Sequence, residues 1–302
     1  IIRDLGDWLG CYGRPEVESP ALDALAAQGA VLEQHFSPAP SCSAARASMM
    51  TGQHPQSHGI LGLTHRGWRY RQGVQDLPEI LGRGGYYTAL IGLQDERQDP
   101  WDLTFAEADT AFPDAPGAAE GFSADEVARK AVAWLDQHRG DEQPFFLLVG
   151  FADIQRPYGL DYDEEVAEML EPPVFLPDAP EARADLATFY ERIRQVDAAV
   201  AAILNALEEF GLSDDTVVFA TTDHGPEFPR AKMTLYDPGI KSAFICRWPG
   251  RIPAGRRLAR LTSHVDVLPT LLDIAGLGVP GRVEGGSFLR RLRGERGETR
   301  LD

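Results

Sequence analysis

"TVVFATTDHGPEF", residues 216–228, is an apolar, β-branched run that stops at an aspartate and a histidine. Such a run, rich in Val, Phe and Thr and closed by polar and turn residues, predicts a buried strand. Three more stretches repeat the pattern: "YYTALIG" (86–92), "PFFLLVGF" (144–151) and "SAFICRW" (242–248). Between them the apolar period becomes helical. "SPALDALAAQG" (19–29) opens with Ser19 as N-cap and Pro20 as first helical residue, and closes near Gly29. "SADEVARKAVAWLDQHRG" (123–140) sets Ser123 and Glu126 at the spacing of a capping box. The longest helix is expected over about residues 181–210, with Leu186, Phe189, Ile193, Val196, Val200, Ile203, Leu204 and Leu207 on one stripe. "HVDVLPTLLDIAG" (264–276) predicts a last one.

Strands alternating with helices predict an α/β fold, a mostly parallel central sheet with helices on both faces. Ligands in such folds sit beyond the carboxyl ends of the strands. The polar residues expected there are Asp4 after the stub "II", Asp153 after "LLVGF", and Asp223 with His224 after "VVFATT". The segment 153–180, rich in Pro, Asp and Glu, reads as a long surface excursion near that rim. No internal repeat or low-complexity tract is found.

The 302 residues, 43% hydrophobic and 25% charged, can bury a core as one large domain or two unequal lobes. A formal net charge of −17 disfavours general binding to nucleic acid, so an anionic substrate must be held by a local basic pocket. Cys11, Cys42 and Cys246 are odd in number and far apart, which indicates neither a disulfide framework nor a structural zinc site. No run approaches the length of a membrane span, and nothing in the sequence indicates a compartment. The opening "IIRDLGDWLG" reads as the end of a strand whose earlier residues lie outside the sequence, and "SFLRRLRGERGETRLD" (287–302) is polar and basic. Truncation at both ends is the expectation.

"PSCSAARASMMTGQHPQSHG" (40–59) follows Cys42 with small, helix-compatible residues, placing it at a helix N-terminus where free N–H groups favour anions. Arg46 lies one turn further on the same face. A nucleophile and a guanidinium aimed at one oxyanion is one reading; a buried structural cysteine beside a surface arginine is the other. "TTDHGPEFPRAKMTLYDPGIKSAF" (221–244) adds an Asp-His pair at a strand end, then Lys232. Taken singly these fit a turn cap, a satisfied histidine and a solvated lysine; together, carboxylate and imidazole at a strand end suit a metal site.

The sequence resembles the sulfatases of the alkaline phosphatase superfamily. C-S-A-A-R is similar to their Cys-x-Pro/Ala-x-Arg signature, in which the cysteine is oxidised after synthesis to formylglycine, and "ASMMTGQHPQSHGI" continues the pattern. The resemblance runs from "DLGDWLGCYG" through "DTVVFATTDHGPEF" to "LTSHVDVLPTLLDIAGL", and is nearest the sulfamidase branch in "FLPDAPEARADLATFYERIRQVD" and "FPRAKMTLYDPG". It implies the alkaline phosphatase-like sulfatase fold, with residues 1–302 as a single catalytic domain lacking the C-terminal subdomain. It also implies a sulfuric ester or sulfamate hydrolase. Cys42 would be the formylglycine precursor, with Arg46 steadying its hydrated form. Asp4, Asp223, His224 and residue 42 itself would ligate a divalent cation, commonly calcium, and Lys232 with Arg46 would contact the sulfate. The implied mechanism has one oxygen of the aldehyde hydrate attack sulfur as the alcohol or amine leaves, after which loss of the second hydroxyl proton expels sulfate and restores the aldehyde. The implied partners are a small sulfated substrate, such as a sulfated sugar, and a formylglycine-generating enzyme.

The sequence departs from that pattern at the site. Arg3 and Asp4 stand where the family has two aspartates, which should lower metal affinity. Leu93 and Asp95 of "GLQDE" take the places of a lysine and a histidine, and Ala152 and Gln155 of "FADIQR" those of two histidines. Losing one proton-transfer residue typically removes a factor of ~10² to 10⁴. His54, His58 and His65, or Asp95 and Asp153 if buried, are candidates to compensate. Two other functions therefore stay open: a catalytically silent relative that keeps the fold as a binding protein, and a phosphoryl or phosphonyl esterase.

Overall fold

The computed structural model describes residues 1–98, 102–111, 122–158 and 162–295. The end of the basic tail, 296–302, and residues 159–161 of the expected excursion lie outside them. The described strands are β1 (Ala30–Leu32), β2 (His35–Phe36), β3 (Tyr87–Leu93), β4 (Glu107–Ala111), β5 (Phe145–Gly150), β6 (Val218–Thr221), β7 (Phe244–Arg247), β8 (Arg256–Leu258) and β9 (Thr262–Ser263). β3 lies between β4 and β5, parallel to both, with Tyr87 opposite Phe145 and Gly92 opposite Gly150. A second group runs β6-β7-β1-β8. Ile2 joins the two by pairing in parallel with both Phe151 and Thr222. The expected mostly parallel sheet is thus present, and β2 and β9 form a separate parallel pair.

"SAFICRW" is the exception, since β7 is antiparallel to both β6 and β1. A parallel neighbour requires a crossover, usually through a substantial helix. The connection from Thr222 to Ala243 holds only the short helix Asp237–Ile240, and the chain doubles back.

Alternation along the strands explains the helices on both faces. Ala89, Ile91 and Ile245 enter one core with the helices Pro20–Gln28, Ala124–His138 and Pro180–Glu209. Leu90, Phe244 and Cys246 enter the other with Cys42–Thr51, Leu77–Arg83 and Val267–Ile274. The long-helix stripe is buried at Leu186, Phe189, Ile193, Val196 and Leu207, and partly buried at Val200, Ile203 and Leu204. Among the described residues of the segment 153–180, one short helix, Glu164–Met169, precedes the long helix that begins at Pro180.

Two helix starts differ from expectation. Ser123 accepts the Glu126 N–H at 3.4 Å, but the Glu126 carboxylate turns to Arg129, so half of the capping box forms. Ser19 makes no cap bond; the Ala21 and Leu22 N–H groups instead donate to Asp197 of the long helix at 2.9 and 2.8 Å. At the carboxyl ends of β3 and β5, a Cβ on Gly92 would lie 2.2 Å from the Gly150 carbonyl oxygen. Gly92 also has φ +90, so glycine alone admits this approach, and it brings the turn 94–96 to the sheet rim.

Phe189 is fully buried, edge-to-face with Trp8 at 5.4 Å and with Phe228 at 5.2 Å. Phe189→Ala is expected to lower unfolding free energy by ~3–5 kcal/mol in denaturant titration. Met169→Ala, at an exposed position, should change it by no more than about 0.5 kcal/mol.

Candidate active site

Four segments meet at the carboxyl rim: the stub Ile1–Asp4, the end of β6, the N-terminus of the helix Cys42–Thr51, and the loop carrying Lys232. That helix is buried at all ten positions, which its small Ala and Ser residues permit. Asp4 has φ +56, uncommon for a non-glycine residue. It is held there because its N–H donates to Asp223 Oδ1 at 3.0 Å, the next N–H to Thr222 Oγ1 at 3.1 Å, and that of Gly6 to the His224 carbonyl at 2.9 Å.

The result is a convergence of donors. Asp4, Cys42, Asp223 and His224, all buried, each present one ligand atom, and these atoms lie within 4.8 Å of one another. Cys42 Sγ is 3.2 Å from His224 Nε2 and 3.8 Å from Asp4 Oδ1. His224 Nδ1 donates to the Gly225 carbonyl at 2.9 Å, which turns Nε2 into the cluster, 3.3 Å from Asp4 Oδ1. An imidazole oriented through its other nitrogen, beside two carboxylates, can offer Nε2 to a divalent cation.

Each carboxylate also has a cation. Lys232 Nζ lies 2.8 Å from Asp4 Oδ2, Arg46 Nε 3.1 Å from Asp223 Oδ2, and an Arg3 nitrogen 3.6 Å from Asp95 Oδ2. Burial raises the Cys42 thiol well above its usual range, with Asp4 adding to the effect, so residue 42 as a cysteine is a protonated thiol. Burial works against the Asp223 carboxylate too, but His224, Arg46 and Arg3 hold it below the ordinary range. For Lys232, burial is outweighed by the Asp4 carboxylate, and the ammonium is kept.

The structure therefore brings together Asp4, Cys42, Arg46, Asp223, His224 and Lys232. Arg46 is wholly buried: Nε holds Asp223, Nη1 donates to the Leu93 carbonyl at 3.4 Å, and Nη2 has no hydrogen-bond partner. Asp95 is buried beside the site, accepting from Ser43 Oγ at 3.0 Å. Asp153 is spent on a helix, accepting the Ala124 N–H at 2.8 Å. His58 packs away from Cys42, with Nδ1 accepting from the Ile60 N–H and Nε2 donating to Ser48. His54 contributes its backbone N–H to Glu284 at 2.7 Å.

Sequence reasoning missed a buried pair behind Asp223. His264 Nε2 donates to the Asp223 carbonyl at 2.7 Å, and its Nδ1 lies 2.8 Å from His35 Nε2, whose Nδ1 meets Thr262 at 2.9 Å. One local signal existed, the Ser263-x-x-Asp266 spacing, which forms a complete capping box and fixes His264.

The family model described as Sulfatase matches residues 4–277, and the chain belongs to that family. It is 28% identical to human N-sulphoglucosamine sulphohydrolase over 324 residues, covering 97% of this chain and 63% of the relative. It is 26% identical to an ulvan-active sulfatase of Formosa agariphila over 343 residues, covering 97% of this chain and 54% of the relative. The chain thus spans a little over half the length of these relatives. Its fold matches the phosphonate monoester hydrolase of Silicibacter pomeroyi with a TM-score of 0.76 at 22% identity, over 98% of this chain and 76% of that one.

Burial holds the His58 imidazole down at about 4, below the unfolded value of about 6.5. As pH falls below 6.5 the unfolded chain takes up this proton first, so the stability from neutral His58 is complete above that pH and lost progressively down to about 4. In denaturant unfolding across this window, His58→Gln should flatten the decline by up to ~1.4 kcal/mol per pH unit. Equal slopes would contradict a buried neutral His58.

Proposed function

We propose that this chain hydrolyses a sulfuric ester or sulfamate, with residue 42, converted from cysteine to formylglycine, as its nucleophile. The observation that carries the reading is the convergence of the Asp4, Cys42, Asp223 and His224 donor atoms within 4.8 Å, with Lys232 at its edge. A buried, protonated thiol is a poor nucleophile, whereas a hydrated aldehyde at the same place offers two hydroxyls. Asp4, Asp223 and His224 would hold the divalent cation, calcium in the first instance, which when bound polarises the sulfuryl oxygens and neutralises charge gathering on them. Lys232 adds a point charge at the rim for the sulfate. Arg46 acts mainly through Asp223, whose carboxylate it orients, and its Nη2 is left without a hydrogen-bond partner. Conversion of Cys42 calls for a formylglycine-generating enzyme as partner. A sulfated sugar is the substrate class to try first, since the named relatives are an N-sulphoglucosamine sulphohydrolase and an ulvan-active sulfatase.

A second reading has an observation of its own. Lys232, Arg46 and Arg3 leave Asp4, Asp223 and Asp95 already neutralised, which is an arrangement for a silent, metal-poor binding protein. Arg3 distinguishes the two readings. Calcium should raise the Tm of the native chain, and should raise that of Arg3→Asp further, because a third carboxylate joins the donors. The ion-induced shift is the readout, since losing Arg3 itself leaves buried Asp95 unpaired. No shift in either protein would favour the silent reading.

After co-expression with a formylglycine-generating enzyme, the peptide containing residue 42 should have exchanged its sulfur and two hydrogens for one oxygen in the mass spectrum. An intact thiol there would contradict the reading. On aryl sulfate, sulfamate and phosphonate substrates, Lys232→Ala should lower kcat/KM by ~10²-fold or more, and by more than any single change at His54, His58 or His65. Equal losses would mean that Lys232 has no special place at the sulfate, and turnover of the phosphonate alone would reassign the chemistry.

A further inference from the structure

β2 and β9 hold two residues each, too few to add much as a sheet. Their parallel register sets His35 opposite Thr262 and Phe36 opposite Ser263. What the pairing secures is a row of side-chain contacts. His35 Nδ1 lies 2.9 Å from Thr262 Oγ1, His35 Nε2 lies 2.8 Å from His264 Nδ1, and His264 Nε2 lies 2.7 Å from the Asp223 carbonyl. Both rings are fully buried, and His35 is held against Phe244 with ring centroids 4.6 Å apart.

The direction of every bond in this row is determined. A backbone carbonyl can only accept, so His264 Nε2 carries a proton. Burial holds both imidazoles below their usual range, His264 at about 4, so near neutral pH each ring carries one proton only. His264 Nδ1 is then bare and accepts from His35 Nε2, which leaves His35 Nδ1 bare to accept the Thr262 hydroxyl. The other acceptor near that hydroxyl, the Gln34 carbonyl, is 3.4 Å away and already takes the Thr262 N–H at 2.9 Å. Reversing one bond would set two donors or two acceptors face to face where no water can relieve them.

We propose that Thr262, His35 and His264 are positioning residues, a row of hydrogen bonds with a single polarity whose last N–H anchors the Asp223 main chain and so sets where its carboxylate stands. The purpose of the row rests on the reading of Asp4, Asp223 and His224 as a cation site; its polarity does not. Asp223 is where an anchor matters, because its Oδ1 accepts the N–H groups of both Asp4 and His224. A turn of its main chain would loosen both. Hydrogen-bonded partners behind a ligand typically change metal affinity by ~10- to 100-fold when lost. His35 is the informative position, since Gln can present an amide N–H near the place of the ring Nε2–H and Leu cannot.

The test begins with NMR of the metal-free chain labelled with ¹⁵N at histidine. His35 and His264, assigned by the signals lost in His35→Gln and His264→Gln, should each show a protonated Nε2 and a bare Nδ1. In His35→Leu the Asp4 and His224 amides should exchange ~10-fold faster or more, and Mn²⁺ should bind at least ~10-fold more weakly. His35→Gln should stay near the native values in both. A proton on Nδ1 of either ring in the native chain would overturn the proposal, even if His35→Leu failed to fold. So would unchanged exchange in His35→Leu, or equal losses in the Leu and Gln variants, which would make His35 a packing residue. If the tautomers and the exchange came out as expected while the native chain bound no Mn²⁺, the row would stand and the cation reading would fall.

Discussion

The buried carboxylate of Asp223 is the point on which the site depends. One oxygen accepts the backbone N–H of Asp4 and of His224, at 3.0 and 2.9 Å, and the other accepts Arg46 Nε at 3.1 Å. Its own carbonyl takes the His264 ring. Four segments distant in sequence, at residues 4, 46, 223 and 264, are thereby fixed by a single residue. Charge-assisted bonds of this kind are strong where water is excluded, and removing any member strands the others. The left-handed backbone at Asp4 persists because this network over-determines it.

The same rim concentrates three cation–carboxylate pairs, Arg46–Asp223 and Arg3–Asp95 buried and Lys232–Asp4 half-buried. Burying them does little for stability, since desolvation offsets most of the attraction. Their value lies in placement, because each pair fixes where a charge stands when an anion arrives. The net charge of −17 repels anions from the molecule as a whole, so attraction has to be local, and Lys232 at the mouth with Arg3 and Arg46 beneath supplies it. The Arg3–Asp95 pair is a coupled departure: neither residue matches the family pattern, and the structure shows the two in contact.

Much of this was legible in the sequence, because strands buried on both faces write themselves as apolar runs and their ends as sudden polarity. Asp4, Asp223 and His224 were identifiable on that basis and Cys42 as the start of a helix, and the resemblance to sulfatases supplied their expected roles. What the sequence withheld was settled by contacts between distant segments. The reversed direction of β7 depends on how residues 222–243 fold back. Asp197 caps a helix from another helix, and Asp153 serves one where a catalytic role was conceivable. His35 and His264 meet across more than two hundred residues, and no local spacing encodes that pairing.

The central claim is that Asp4, Asp223 and His224 form a cation site against residue 42. Anomalous diffraction from crystals grown with Mn²⁺, recorded at the manganese edge, tests it most directly. The account predicts one peak within about 2.0–2.6 Å of a donor atom from each of the three residues, beside the side chain of residue 42. A cluster without that peak, with Lys232 still closed on Asp4, would contradict it.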